Sequence, residues 1–157
     1  MRPDVEGRTR PEILLVEDNE NDVILMQEGF KLANVAINLQ HVQDGKACMA
    51  YLRKQEPYAD APTPDLILLD LNMPMMDGRE VMEQVVADDH LSHIPVVVLT
   101  TSSAEMDILA MYKLRCNSYI IKPADFGEFL NIIRLFSEYW LTTVTLPPTD
   151  PPPFMSA

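Results

Sequence analysis

Four short apolar runs recur along the chain, each bounded by polar residues or proline. They span residues 13–16, 66–69, 96–99 and 119–121. Runs of this length favour strands that are buried on both faces, as in a parallel sheet. A fifth segment, residues 37–42, alternates between apolar and polar positions and is typical of an edge strand. The pattern therefore predicts five strands.

The intervals between these runs place apolar residues at helical spacing. They predict helices over residues 20–33, 45–55, 78–88, 104–114 and 126–140. Asp44, Ser103 and Asp125 each stand where a side chain can cap the start of a helix, and Asp77-Gly78 predicts a turn before one. The alternation of strand and helix predicts an α/β fold with right-handed crossovers and helices on both faces of the sheet.

The chain ends differ in composition from the middle. Polar residues 1–11 predict a flexible N-terminal arm, residues 12–140 predict one domain, and the proline-rich residues 141–157 predict an extended C-terminal tail. No apolar run approaches the roughly 18–20 residues that cross a bilayer, and the start lacks the pattern of a signal peptide. We therefore expect a cytoplasmic protein without a membrane partner.

The net charge of −12 narrows the range of partners. A strongly acidic domain repels DNA phosphates, so no nucleic-acid partner is expected. The two cysteines, Cys48 and Cys116, lack zinc-site spacing and are interpreted as free thiols. An acidic balance is compatible with binding a divalent cation.

Residues whose side chains can bind a ligand or take part in a reaction follow four of the five predicted strands. Glu17 and Asp18 follow the first strand, Asp70 the third, Thr100 the fourth and Lys122 the fifth. Ligands of an open parallel sheet bind outside the carboxyl ends of its strands. If the strands are adjacent, these side chains meet in one cleft.

This set of residues matches the requirements of phosphoryl transfer. Converging carboxylates repel one another unless a hard cation such as Mg²⁺ lies among them, and that cation can offset phosphoryl charge. An aspartate can form an aspartyl phosphate, a lysine supplies a positive charge, and a threonine supplies a hydroxyl donor. The sequence therefore predicts Mg²⁺ as cofactor and Asp70, Thr100 and Lys122 as catalytic residues.

Taken together, four motifs resemble those of response-regulator receiver domains over residues 12–140. In chain order they are Leu15-Val-Glu-Asp-Asn19, Leu69-Asp-Leu-Asn-Met-Pro-Met-Met-Asp-Gly78, Val98-Leu-Thr100 and Tyr119-Ile-Ile-Lys-Pro123. One apolar run followed by Asp is a weak signal, but four motifs in this order are specific. The resemblance implies a flavodoxin-like, doubly wound sheet of five parallel strands in the order 2-1-3-4-5.

The resemblance also implies roles for residues of these motifs. Asp70 is the phosphorylation site and a metal ligand. Asp18 binds the metal directly, Glu17 binds it directly or through a water molecule, and Asn72 binds it through its backbone carbonyl. Lys122 pairs with the phosphoryl group, and the peptide bond between Lys122 and the following proline is expected to be cis.

Two further residues are implied to form the switch. Thr100 moves toward the phosphoryl group and Tyr119 follows it. The alternative for Tyr119 is a half-buried strand residue with no further role. Asn72 and Ser102 occupy positions that tune dephosphorylation in the family.

A narrower resemblance lies near the C-terminus. Ser137-Glu-Tyr-Trp-Leu-Thr-Thr-Val-Thr-Leu-Pro-Pro148, with the long loop before the third strand, resembles small regulators that partner cyanobacterial phytochrome histidine kinases. It implies a two-component phosphorelay with a phytochrome-type kinase as donor. Because no output domain fits after Trp140, we expect signalling by protein–protein contact or onward transfer to a phosphotransfer protein. We expect no enzyme activity beyond the chain's own phosphorylation and dephosphorylation.

The last predicted helix is more apolar than one buried stripe requires. We expect a homodimer through helix 4, strand 5 and helix 5, with an interface formed by Phe129, Ile132, Phe136, Tyr139 and Trp140. The alternative is that residues 141–146 fold over this helix.

Three other functions are weighed against the phosphoacceptor. A phosphatase of the haloacid-dehalogenase type needs a second Asp two residues after its nucleophile on the first strand, whereas Asn72 stands at that offset from Asp70. A receiver-like scaffold that takes no phosphate conflicts with the complete set of site residues. A DNA-binding regulator conflicts with the negative charge.

Overall fold

Five parallel strands form the central sheet of the protein, for which a computed structural model describes residues 2, 3 and 9–149. The strands pair in the order 2-1-3-4-5, which confirms the predicted fold and strand order. Their bounds are β1 Glu12–Val16, β2 Asn38–Val42, β3 Leu66–Leu69, β4 Val96–Thr100 and β5 Ser118–Ile121.

Five α-helices connect and follow the strands. Side-chain caps from Asn19, Asp44, Asp77 and Asp125 begin four of them. The prediction that Ser103 caps the fourth helix is wrong, because that helix starts one residue later and the hydroxyl nearest its start belongs to Ser102. The helices are α1 Glu20–Leu32, α2 Gly45–Leu52, α3 Gly78–Ala87, α4 Glu105–Lys113 and α5 Phe126–Phe136.

Alternate residues of β1 point into two separate hydrophobic cores. Leu14 and Val16 pack on the face covered by α2, α3 and α4, whereas Ile13 and Leu15 pack on the face covered by α1 and α5. All four are at most 2% exposed. The continuous apolar run of β1 is therefore explained by burial on both faces, which is typical of a parallel sheet.

The C-terminal end of α5 differs from its prediction. The α-helix ends at Phe136 and continues as a π-helix, Ser137–Thr143. Leu141 and Leu146 pack against the α1–α5 core. Residues after α5 therefore cover part of its apolar surface, as the alternative expected.

Two of the five residues predicted at a dimer interface are buried within the chain. Phe129 and Phe136 are 4% and 6% exposed and belong to the α1–α5 core. Phe136 also makes an edge-to-face contact with Phe30 of α1, with ring centroids 6.1 Å apart. The interface prediction is corrected for these two residues, because their surface is already occupied. Tyr139 remains 56% exposed.

The segment predicted as an N-terminal arm contains one short pairing. Arg2–Pro3 lies antiparallel to Thr9–Arg10. Residues 1, 4–8 and 150–157 lie outside the described residues, so the division into arm, domain and tail stays a prediction. Across the described residues, no helix combines the length and the apolar character that a membrane span requires.

The cis peptide bond of the structure lies between Glu56 and Pro57. The bond between Lys122 and Pro123 is trans, so the expectation drawn from the resemblance is wrong here. Trans is the form that an X–Pro bond ordinarily prefers.

Candidate functional site

Three carboxylates meet where β1 and β3 end. Glu17 and Asp18 follow β1 directly, and Asp70 follows β3, whose last residue Leu69 lies opposite Val16 of β1. One carboxylate oxygen from each of the three residues lies within 4.8 Å of the others. Glu17 and Asp70 are buried, and Asp18 is exposed. The structure therefore brings together the three side chains that the sequence predicted as metal ligands.

Lys122 reaches this cluster from the end of β5. Its backbone N–H donates to the carbonyl of Thr100 at 2.7 Å, which fixes the residue beside β4. Its Nζ donates to Oε2 of Glu17 at 2.5 Å and to Oδ2 of Asp22 at 2.9 Å. The side chain is only 6% exposed. The predicted lysine is thus in the site, and its ammonium offsets the charge of two carboxylates.

Asp22 is the functional-site residue that sequence reasoning missed. It lies in the first turn of α1, where its backbone N–H is capped by Oδ1 of Asn19 at 3.1 Å. An acidic residue at this position is commonly explained by the helix dipole, so it carried no separate signal. Its bond to Lys122, 100 residues further along the chain, leaves no pattern in the sequence.

Burial changes the acidity of Glu17. The pKa of its carboxyl is raised to about 7 as the net of three effects: burial raises it most, the ammonium of Lys122 lowers it, and the negative charge of Asp70 raises it. A second positive charge beside Asp70 would favour the ionised form of Glu17 in the same way. A hard divalent cation with oxygen ligands fits this set of donors.

The loop between β3 and α3 holds the backbone of Asp70 in place. The N–H of Asp70 donates to the backbone carbonyl of Val16, and the N–H of Gly78 donates to the backbone carbonyl of Leu71, both at 3.0 Å. Gly78 lies so close that a Cβ there would be 2.5 Å from the carbonyl oxygen of Asp70. Asn72 follows in this loop with an exposed side chain, and its predicted carbonyl ligand stays a prediction.

Thr100 and Tyr119 are linked through the backbone of one residue, Ser102. Thr100, at the end of β4, is fully buried, and its Oγ1 accepts from the N–H of Ser102 at 3.4 Å. The hydroxyl of Tyr119 donates to the carbonyl of Ser102 at 2.9 Å. Partial burial raises the pKa of the Tyr119 hydroxyl. The two predicted switch residues therefore hold opposite sides of the Ser102 residue.

A groove of about 250 Å³ lies between the loop after β3, the start of α3 and α4. Leu71 and Met111 give it an apolar floor, and Arg79 and Asp107 lie at its sides. The groove is therefore bounded by the loop that follows Asp70 and by α4, the helix that follows the loop of Ser102.

Comparison with known proteins agrees with this geometry. Residues 13–134 match the sequence model of the protein family described as "Response regulator receiver domain". The chain is 44% identical to the response regulator Rcp1 of Synechocystis sp. over 86% of this chain and 92% of that protein.

Solved structures give the same result. The phosphorylated cyanobacterial phytochrome response regulator RcpA matches with a TM-score of 0.85 and 46% identity, covering 89% of this chain and all of that one. The Mn²⁺-bound form of Rcp1 matches with a TM-score of 0.84 and 43% identity, covering 88% and 99%. Both relatives span the sheet, its helices and the candidate site.

Proposed function

Because the chain belongs to the response regulator receiver domain family, we propose that it is a response regulator that accepts a phosphoryl group on Asp70. The observation that carries this proposal is the meeting of Glu17, Asp18 and Asp70, whose ligand oxygens lie within 4.8 Å of one another. Lys122 lies buried beside them and supplies the positive charge that phosphoryl oxygens require.

The proposed cofactor is Mg²⁺. Glu17, Asp18 and Asp70 would hold it through carboxylate oxygens, and Asn72 through its backbone carbonyl. Carboxylate oxygens suit a hard cation, and the relative Rcp1 has been solved with Mn²⁺ bound. When bound, the metal would offset negative charge on the transferred phosphoryl group.

The proposed donor is a phosphohistidine. A carboxylate oxygen of Asp70 attacks the phosphorus, the P–N bond of the donor breaks as the O–P bond forms, and the imidazole leaves with the electron pair and takes up a proton. Lys122 and the Thr100 hydroxyl contact separate phosphoryl oxygens. Hydrolysis of the aspartyl phosphate restores Asp70, so the catalysis that we propose for the chain acts on the chain itself.

The proposed partner is a histidine kinase of the phytochrome type. The supporting observation is the similarity to RcpA, a cyanobacterial phytochrome response regulator. We propose that the reaction takes place in the cytoplasm within a two-component phosphorelay, with a phosphotransfer protein as one further acceptor. Purified kinase autophosphorylated on its histidine should transfer label to the wild type within minutes, and an unrelated histidine kinase should transfer it far more slowly.

The proposed output is protein–protein contact, with self-association through α4, β5 and α5. Exposed apolar side chains support this surface: Leu109 and Tyr112 on α4 are 49% and 47% exposed, and Ile121 on β5 is 43% exposed. Of the residues predicted earlier, Ile132, Tyr139 and Trp140 keep exposed or half-buried surface. Light scattering at micromolar concentration should give a dimer mass; a monomer with and without a phosphoryl analogue contradicts this part.

Intact mass measurement tests the acceptor itself. The full chain is incubated with acetyl phosphate and Mg²⁺, beside the variant Asp70→Asn, which keeps the size and shape of the side chain. We expect the wild type to gain the mass of one phosphoryl group and the variant to gain none. Equal labelling of both proteins contradicts Asp70 as acceptor, and loss of labelling on chelation supports the metal requirement.

A further inference from the structure

The loop between β4 and α4 is anchored by a single residue. Ser102 donates its backbone N–H to Oγ1 of Thr100 and accepts a hydrogen bond from Tyr119 on its carbonyl. Its own hydroxyl donates to Oδ2 of Asp107 at 2.6 Å. Three bonds to three different elements therefore set the position of this one residue.

The bond to Asp107 also fixes the start of α4. The cap position, Ala104, has no side chain that can accept from the first turn, whereas the four other α-helices have a side-chain cap. The backbone N–H of Ala104 instead donates to Oγ of Ser102 at 3.3 Å. Asp107, within the first turn, thus holds the hydroxyl that accepts from the N–H of the cap residue.

Asp107 faces a second element across the groove described above. Its Oδ1 lies 3.9 Å from the guanidinium of Arg79 in the first turn of α3. Both side chains are partly exposed, at 37% and 50%, so this ion pair is weak. The short, charge-assisted bond to Ser102 is the stronger contact of the carboxylate.

We propose that Asp107 is a positioning residue of the phosphorylation switch, acting through Ser102 on Thr100 and Tyr119. The inference rests on the proposed function of Asp70. For the Thr100 hydroxyl to turn toward a phosphoryl group on Asp70, its contact with the Ser102 N–H must open. The Asp107 carboxylate opposes this movement, because it holds the Ser102 hydroxyl against α4. Asp107 therefore stabilises the unphosphorylated arrangement.

A rate measurement on four variants tests the inference. Asp107→Ala and Ser102→Ala remove the bond from either side, Asp107→Asn keeps an oxygen that can accept from Ser102, and Glu105→Ala removes the neighbouring charge of the same helical turn. We expect the first two to speed labelling by acetyl phosphate about 3- to 10-fold, the effect of one partly exposed charge-assisted bond. Asp107→Asn and Glu105→Ala should stay within about twofold of wild type.

A readout without phosphorylation separates this inference from the proposed function. In protein labelled with fluorotyrosine, the ¹⁹F resonance of Tyr119 is assigned by its absence in Tyr119→Phe. Asp107→Ala should shift or broaden this resonance, and Glu105→Ala should not. If the wild type takes no label but the resonance responds as expected, the proposed function fails and the contact stands.

A double variant decides whether Asp107 acts through the switch. Asp107→Ala combined with Tyr119→Phe should change the labelling rate by less than the product of the two single effects, because both act on Ser102. Multiplicative effects, or an Asp107→Ala variant that matches Glu105→Ala in rate and in ¹⁹F spectrum, overturn the inference.

Discussion

The candidate site consists of two halves that are held together by different forces. In the acidic half, full charges lie close together and one ammonium, that of Lys122, bonds to two carboxylates at 2.5 and 2.9 Å. In the switch half, hydrogen bonds of 2.6–3.4 Å converge on one residue, Ser102. The acidic half comprises Glu17, Asp18, Asp22, Asp70 and Lys122, and the switch half comprises Thr100, Ser102, Asp107 and Tyr119.

The difference predicts what substitution does in each half. Removing the buried cation of the acidic half leaves like charges without compensation, so its first consequence is lost stability. Removing one hydrogen bond of the switch half leaves groups near solvent that water can satisfy, so its first consequence is altered position. A phosphoacceptor needs both properties, because it must hold a charged ligand and then move in response to it.

Among the variants that test this contrast, Lys122→Met should change the free energy of unfolding most. In metal-free buffer, we expect the free energy of unfolding to fall by about 3 kcal/mol, because Glu17 and Asp22 lose their shared partner beside Asp70. Mg²⁺ should restore part of the loss, since it supplies positive charge to Glu17 and to Asp70 beside it. Urea unfolding with a chelator and with Mg²⁺ measures both values.

The matched control is Lys113→Met, which removes an exposed lysine at the end of α4. It should change the free energy of unfolding by less than about 1 kcal/mol in either buffer. An equal loss in both variants would contradict the view that charge compensation stabilises the acidic half.

Gly78→Ala tests the backbone that carries the acceptor. A Cβ at this position would lie 2.5 Å from the carbonyl oxygen of Asp70 and 2.8 Å from Cα of Leu71. Because backbone must shift to relieve this contact, we expect a loss of about 1–3 kcal/mol in unfolding free energy and slower labelling of Asp70. Gly127→Ala is the control, since its Cβ would meet the side chain of Asp125 at 3.1 Å and no backbone. Similar losses for both would contradict this explanation.

Most of the acidic half could be predicted from sequence because strand ends are easy to place. Glu17, Asp18, Asp70 and Lys122 each follow a short apolar run, and parallel pairing brings such ends together. Asp22, the partner of Lys122 in α1, could not be predicted, because this bond depends on where α1 packs relative to the end of β5. The family resemblance supplied the metal and the acceptor role.

The switch half was predicted less completely because it depends on loop geometry. Thr100 and Tyr119 were identified, but the bond between Ser102 and Asp107 spans five residues of a loop and a helix start. The sequence indicated Ser103 as the cap of α4, since capping preference alone does not fix where a helix begins. The helix starts one residue later than predicted, and the hydroxyl that bonds near its start belongs to Ser102 rather than to Ser103.

The apolar excess of α5 shows a further limit of sequence reasoning. A count of apolar residues does not reveal which of them face the sheet, and Phe129 and Phe136 proved to be core residues. The covering residues Leu141 and Leu146 could not be assigned from pattern, because the helix widens into a π-helix after Phe136. Burial here is decided by tertiary packing.

Tyr119→Phe should have a smaller effect on stability than either variant above. It removes the hydroxyl that donates to Ser102 at 2.9 Å and leaves the ring in place. We expect a loss of about 0.5–1.5 kcal/mol in the free energy of unfolding, the usual contribution of one neutral hydrogen bond. Tyr112→Phe on α4, 47% exposed, is the control and should be near neutral. A loss as large as that of Lys122→Met would remove the distinction between the two halves.

Alkaline titration of Tyr119 should give the smallest change in the free energy of unfolding. Burial raises the pKa of its hydroxyl above the ordinary value of 10.0. A raised pKa in the folded state means that the contribution to stability is complete below the ordinary pKa and is lost as the pH rises through the folded-state pKa. The difference in unfolding free energy between wild type and Tyr119→Phe should therefore be constant up to about pH 9 and shrink above it.

Comparison with Tyr119→Phe is needed because the pKa of Lys122 is also raised: burial lowers it, but the bonds to Glu17 and Asp22 outweigh burial. The lysine is present in both proteins, so its contribution cancels in the difference. Ultraviolet absorbance of the phenolate, followed in both proteins, should show one tyrosine of the wild type ionising late. If the difference in stability grows with pH instead, burial does not hold the Tyr119 hydroxyl in its neutral form, and the switch half must then depend on charge as the acidic half does.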